Sequence, residues 1–195
     1  MIAADQLPAA ELPRPRTLLV GTVFAIVACG MFFAGAFGVY VKLRNETVTS
    51  GGTWLKPGQI SLVPGGMMMV TAAMSVITMA WAVQAIRNDD RKNAYIALGL
   101  TLLFGVANLN QQVFYYNDMK LTVKGEVADL LIYVITGAHV AMLIAAMVFV
   151  ALAAFRALAG QFSSRQSDGI QAAFYFWTAT MLMYTLVYYG IYVTK

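Results

Sequence analysis

The 195-residue sequence contains 13 Lys and Arg and 9 Asp and Glu, while 60% of its residues are hydrophobic. Soluble domains carry roughly a quarter charged residues, so the 11% found here excludes a soluble enzyme and a nucleic-acid-binding protein. The charges also avoid five long stretches, as expected where the centre of a membrane-spanning helix cannot accept a charge. The composition therefore predicts an all-α integral membrane protein.

The five uncharged stretches predict a single five-helix transmembrane domain, residues 17–195, behind a polar N-terminal arm, residues 1–16. The second stretch is longer than one span requires. Pro57 and Pro64, with neighbouring glycines, predict that its first third is a loop. The predicted spans cover about residues 17–41, 67–86, 93–117, 130–155 and 169–194.

Positive charges beside the spans favour one orientation only slightly. The membrane side that holds the N-terminal arm carries seven Lys and Arg: Arg14, Arg16, Arg87, Arg91, Lys92, Arg156 and Arg165. The other side carries the remaining six. Because cytoplasmic loops are enriched in Lys and Arg, this distribution predicts a cytoplasmic N-terminus.

The third span carries a polar face. Asn108, Gln111, Gln112 and Tyr115 lie at positions i, i+3, i+4 and i+7, which share one side of a helix. Amides directed at lipid would lack hydrogen-bond partners, so this face must meet protein, water or a lipid headgroup. Two interpretations follow: structural hydrogen bonding between helices, or the polar lining of a lipid or ligand cleft.

His139 is the only histidine, and Cys29 the only cysteine. These counts are too low for a bis-His haem, a His-rich copper centre or a Cys/His zinc site, so we expect no cofactor, metal or catalytic centre in this chain. His139 lies deep in the fourth span, one turn after Thr136, where a protonated imidazole would be costly. A neutral imidazole that hydrogen-bonds another helix is one interpretation; a proton relay or a lipid-headgroup contact is the other.

Two rows of small residues predict close helix packing. One row, on the first span, is Gly30, Ala34 and Gly38; the other, on the fourth, is Gly137, Ala141 and Ala145. The spacing leaves open whether each row meets another helix of this chain or a partner subunit.

The order of these features resembles the subunit III family of haem-copper cytochrome oxidases, in its short five-helix bacterial form. The segment Met31–Phe37 is similar to the Met-Phe-Phe-Ala-Gly segment of the family's first helix, and Gln111, Tyr115 and Tyr116 resemble the end of another. Thr136, Gly137 and His139 match the start of a Thr-Gly-x-His motif. Trp177 stands at the family spacing from the terminal Ile191 and Tyr192.

The departures from the family pattern remove titratable groups. Cys29 and Phe114 stand where the family has glutamates, and Met142 stands where it has a second histidine. The Trp-His-x-x-Asp motif of the last helix is Trp177–Met181 here, without its His and Asp. The chain therefore looks like a divergent subunit III, including the related group that accompanies nitric oxide reductases.

The resemblance implies a non-catalytic subunit of a respiratory terminal oxidase in the bacterial plasma membrane. Haem and copper would lie in partner subunits, and the chain would pack on catalytic subunit I. It would bind phospholipid in a cleft between spans one and two on one side and spans three to five on the other, and support proton uptake and the durability of the complex.

Two other functions remain open at this point. The chain could be an accessory or assembly factor for a nitric oxide reductase or another membrane redox enzyme. It could also be a small transporter that uses the polar face of the third span and His139.

Overall fold

The computed structural model describes residues 16–56, 58–119, 126–162 and 167–194, which form five long helices and no strand. The N-terminal arm up to residue 15 lies outside these ranges. Each helix is long and apolar enough to cross a membrane, which confirms the all-α membrane bundle. The helices are α1 (Thr17–Thr49), α2 (Leu62–Arg87), α3 (Arg91–Met119), α4 (Val127–Leu158) and α5 (Asp168–Val187), and a π-helical turn (Tyr188–Val193) extends α5.

Two helix boundaries differ clearly from those predicted. α1 continues to Thr49, past the end of the uncharged stretch, and its extension carries an exposed Lys42–Glu46 ion pair at 3.8 Å. α2 begins at Leu62, so Pro64 lies within its first turn. Proline is accepted there because the first N–H groups of a helix have no intrahelical partner. The predicted loop is therefore shorter, and the helix longer, than the prolines suggested.

The tight connection Asn88–Asp90 joins α2 and α3 into an antiparallel pair. Asp90 caps the start of α3: its carboxylate accepts hydrogen bonds from the Asn93 backbone N–H at 3.2 Å and from the Asn93 side-chain amide at 2.6 Å. Asp89 takes a left-handed conformation with a φ of 56°, which aspartate tolerates better than most residues. The pair α2 and α3 is the most extensive helix contact in the bundle.

The remaining helices complete the bundle around α5. α4 packs on α3 and α5, α2 also packs on α5, and α1 packs on α5 and α4. This arrangement contradicts the predicted cleft, because α2 belongs with α3 and α5 rather than with α1. Only Thr22, Phe33 and Tyr40 are buried along α1. Most of that helix therefore faces away from the rest of the chain.

The two rows of small residues do not mediate close packing within this chain. Ala34, Gly38, Ala141 and Ala145 are exposed. Among the described residues, no atom beyond the neighbouring backbone of its own helix lies within 4 Å of a Cβ built on Gly38 or Gly137, and a Cβ on Gly30 approaches Met183 Cε at 3.8 Å. Along these rows, the close contact observed with another described helix is therefore that of Gly30 with Met183 of α5.

Close helix contacts occur instead at glycines outside those rows. A Cβ on Gly105 of α3 would lie 2.9 Å from Trp177 Cη2 and 3.1 Å from Met147 Cγ. A Cβ on Gly190, in the π-helical turn, would lie 2.7 Å from Phe37 Cε1. Gly105 thus lets α3 approach both α4 and α5, and Gly190 lets the end of α5 approach α1.

Replacing Gly105 by leucine tests this packing. We expect Gly105→Leu to destabilise the protein by about 1–3 kcal/mol because the added side chain must displace Trp177 and Met147. Gly38→Leu is the matched control, since it makes the same chemical change on an open helix surface. Thermal unfolding in detergent measures both variants, and equal shifts would contradict the assignment of Gly105 as a packing site.

Candidate functional site

The candidate polar residues lie in the interior, where they connect helices. His139 of α4 is 4% exposed, and its Nε2 lies 3.2 Å from the Thr180 carbonyl oxygen of α5. A carbonyl oxygen can only accept, so Nε2 donates and the imidazole is in the tautomer that carries its proton there. The His139 ring also contacts the Tyr184 ring, with 5.3 Å between centroids. His139 therefore joins α4 to α5.

The polar face of α3 turns inward over most of its length. Asn108, Gln112 and Tyr115 are buried, and Gln111 is half-buried. The Tyr115 hydroxyl donates to the Ser61 carbonyl oxygen before α2, while Asn108 Nδ2 donates to Phe104 of its own helix at 3.2 Å. Gln111 Oε1 and Gln112 Nε2 have no hydrogen-bond partner among the described residues. Tyr115 therefore joins α3 to the segment that precedes α2.

Trp177 connects three helices. Its indole Nε1 donates to Ser75 Oγ of α2 at 3.0 Å, and the Ser75 hydroxyl donates to the Ala72 carbonyl oxygen at 2.6 Å. The far edge of the indole ring packs against Gly105 of α3. Trp177 is fully buried. One side chain thus fixes how α5 lies against the α2–α3 pair.

Thr136 takes part in a second connection. Its hydroxyl donates to Ile132 in its own helix at 2.6 Å and accepts a hydrogen bond from the Tyr116 hydroxyl at 2.8 Å, which joins α3 to α4. Two further bonds of this kind join other helix pairs. Thr78 and Thr101 hydroxyls lie 2.9 Å apart, and the Tyr184 hydroxyl donates to the Gly65 carbonyl oxygen at 2.9 Å.

Several of these contact residues were not predicted from the sequence. The sequence does not identify Ser75, Thr78 and Thr101 as contacts between helices, because a single hydroxyl in a span can hydrogen-bond to its own helix. Tyr184 and Gly65 lie far apart in sequence, and only the packing of α5 on α2 brings them together. A hydroxyl count per span would have identified these residues as candidates but could not have paired them.

A cleft of about 460 Å³ opens where α1 begins, α4 ends and α5 begins. Its walls are mostly apolar, and Leu18, Leu152 and Phe155 on them are exposed. Arg156 lies at its polar end, where Arg156 Nε donates to Gln161 Oε1 at 3.0 Å and the guanidinium lies 5.2 Å from the centroid of the Phe162 ring. The cleft therefore combines an apolar surface with a positioned cation, a combination that suits an amphipathic anion.

The described residues contain no group of three or more His, Cys, Asp or Glu side chains that could hold a metal ion. The sequence as a whole supplies one histidine and one cysteine. The hydrogen bond from His139 to Thr180 already occupies one ring nitrogen. One histidine cannot supply a bis-His haem or a His-rich copper centre.

Comparison with known proteins agrees with the family resemblance of the sequence. The family model for cytochrome c oxidase subunit III matches residues 12–194. Cytochrome c oxidase subunit 3 of Scyliorhinus canicula is 28% identical over 188 residues, which cover 92% of this chain and 70% of that protein.

The subunit 3 proteins of Sus scrofa and Bos taurus are each 27% identical over 183 residues, covering 90% of this chain and 69% of theirs. The family match extends over all five helices. This multi-pass membrane chain therefore belongs to the cytochrome c oxidase subunit III family.

Proposed function

We propose that the chain is a non-catalytic, membrane-embedded subunit of a respiratory haem-copper terminal oxidase. The observation that carries this proposal is the family match over residues 12–194, which includes all five spans. Haem, copper and the reduction of oxygen belong, in this proposal, to partner subunits, because this chain has one histidine. The chain packs against the catalytic subunit I and makes the complex durable.

The interior of the bundle supports a scaffold role. The interior hydrogen bonds of His139, Trp177 and Tyr184 reach residues 41 to 119 positions away in sequence and hold helices together. No Asp or Glu lies in the middle of a described span; the buried Asp129 lies in the first turn of α4, where it accepts a hydrogen bond from Gln59 at 3.0 Å. The chain therefore offers no acid deep in the membrane as a proton carrier. Its support of proton uptake is therefore indirect: it holds the catalytic subunit in shape rather than passing the proton itself.

We assign the cleft at Arg156 to a phospholipid. An acyl chain fits the apolar wall formed by Leu18, Leu152 and Phe155, and the lipid phosphate pairs with the Arg156 guanidinium. Gln161 and Phe162 hold that guanidinium in place, which lowers the entropy cost of binding. In the proposed orientation, with a cytoplasmic N-terminus in the plasma membrane, this cleft faces the cytoplasmic leaflet.

Purification through a tag on this chain tests the main proposal. In mild detergent we expect haem-bearing subunits to co-purify at a constant ratio and to show an oxidase absorption spectrum. A colourless, stable protein would contradict the proposal. Deleting the chain separates a subunit from an assembly factor. Loss of a subunit lowers the durability of the complex. Loss of an assembly factor lowers the amount of complex but leaves turnover per haem normal, and such a factor does not co-purify.

The lipid assignment predicts that Arg156→Gln reduces bound anionic phospholipid. We expect the purified complex to lose about one tightly held phospholipid, because a neutral amide cannot replace the charge at the headgroup. Lys92→Gln is the matched control, since it removes an exposed cation from the same membrane side. Mass spectrometry of extracted lipid measures the change. Equal lipid content in the two variants would contradict the assignment of this cleft to a phospholipid.

The structural role of His139 predicts a separation of stability from turnover. His139→Ala removes the bond to Thr180 and leaves a cavity, so we expect a loss of about 1–3 kcal/mol in stability. Oxygen consumption per haem should stay unchanged in complexes that remain assembled. His139→Gln, which keeps a donor, should recover part of the stability. A fall in turnover per haem in fully assembled complex would instead support a proton relay.

A further inference from the structure

The outward face of α3 carries a regular row of exposed side chains. Successive members are three and four residues apart, the 3.5-residue average with which two helices pack along a left-handed seam. We call this row the α3 seam; its members are Ile96, Gly99, Leu103, Val106, Asn110, Val113 and Asn117.

Asn110 is the member of the α3 seam that does not suit lipid. It lies eight residues before Asp118, the first charged residue at that end, and therefore about 12 Å inside along the helix. Its amide makes no hydrogen bond to the described part of the chain. Acyl chains offer neither donor nor acceptor, and the asparagine side chain is too short to reach the headgroups as lysine does.

The other outward faces, over the described residues, do not share this feature. The outward side chains in the middle of α1, α2 and α4 are apolar. The exposed Tyr175 of α5 lies seven residues after Asp168, and its long side chain carries the hydroxyl towards the headgroups. The remaining exposed amides within the spans lie within one turn of a charged residue, where headgroups and water are available: Gln84 precedes Arg87, and Asn117 precedes Asp118. Asn110 thus marks α3 as a face that is covered by protein.

We infer that the α3 seam packs against a transmembrane helix of a partner subunit, which places a hydrogen-bonding group opposite Asn110. Leu103, Val106 and Val113 supply the apolar contacts of this interface, and Gly99 permits close approach near one end. One polar residue in an apolar seam fixes the register and the partner of a helix pair. The identity of the partner as an oxidase subunit rests on the proposed function, whereas the position of the interface rests on Asn110 alone.

Photo-crosslinking in intact membranes tests the position of this interface. A benzophenone amino acid at position 110 or 103 should form an adduct with a transmembrane helix of an oxidase subunit, identified by mass spectrometry of the joined peptides. The matched control is position 148, on the exposed face of α4. An adduct at 148 but not at 110 or 103 would overturn the inference, and so would an adduct between two copies of this chain.

Substitution of Asn110 gives an independent measurement. Asn110→Leu should weaken association with the partner roughly three- to thirtyfold, the factor expected from one interhelical hydrogen bond in a membrane. It should leave the thermal stability of the isolated chain unchanged, since Asn110 contacts no other described helix through a hydrogen bond. Val148→Leu is the control. Unchanged association would overturn the inference while co-purification of haem subunits still supports the proposed function, so the two can fail separately.

Discussion

The cost of leaving a polar group unpaired within the hydrocarbon layer explains how the helices of this bundle are joined. Trp177 illustrates the requirement: its indole N–H finds Ser75, and that contact fixes α5 against α2 while Gly105 admits the ring beside α3. His139 of α4 and Tyr184 of α5 add hydrogen bonds to backbone oxygens of other helices. α5 is accordingly the most buried of the five spans and the element around which the others pack.

The number and type of the elements could be predicted because charge exclusion is a property of the sequence itself. Other features needed the three-dimensional arrangement. The small residues at Ala34 and Ala141 have helical spacing, but spacing does not reveal which way a row faces, and both residues are exposed. Pro64 suggested a loop because its position relative to the first turn of α2 could not be seen. The grouping of α2 with α1 was implied by the family resemblance, whereas α2 packs on α3 and α5.

The two proposed binding features also illustrate this distinction. In the sequence, Arg156 is an ordinary basic residue beside a span. It is a candidate headgroup ligand only because α1, α4 and α5 enclose a cleft next to it. Asn110 belongs to the same polar segment as Asn108 and Gln112, yet those two turn inward and Asn110 turns outward. A difference of two positions separates an amide that is buried in this chain from one that requires another chain.

The packing of α1 has a consequence for the order in which the protein is assembled. α1 is synthesised first, but the helices that it contacts, α4 and α5, are synthesised last. The contact between Phe37 and Gly190 joins positions near opposite ends of the chain. α1 must therefore wait in the bilayer, surrounded by lipid or held by an insertion factor, while the other spans are made. Its mostly apolar surface, with only three buried residues, suits that interval.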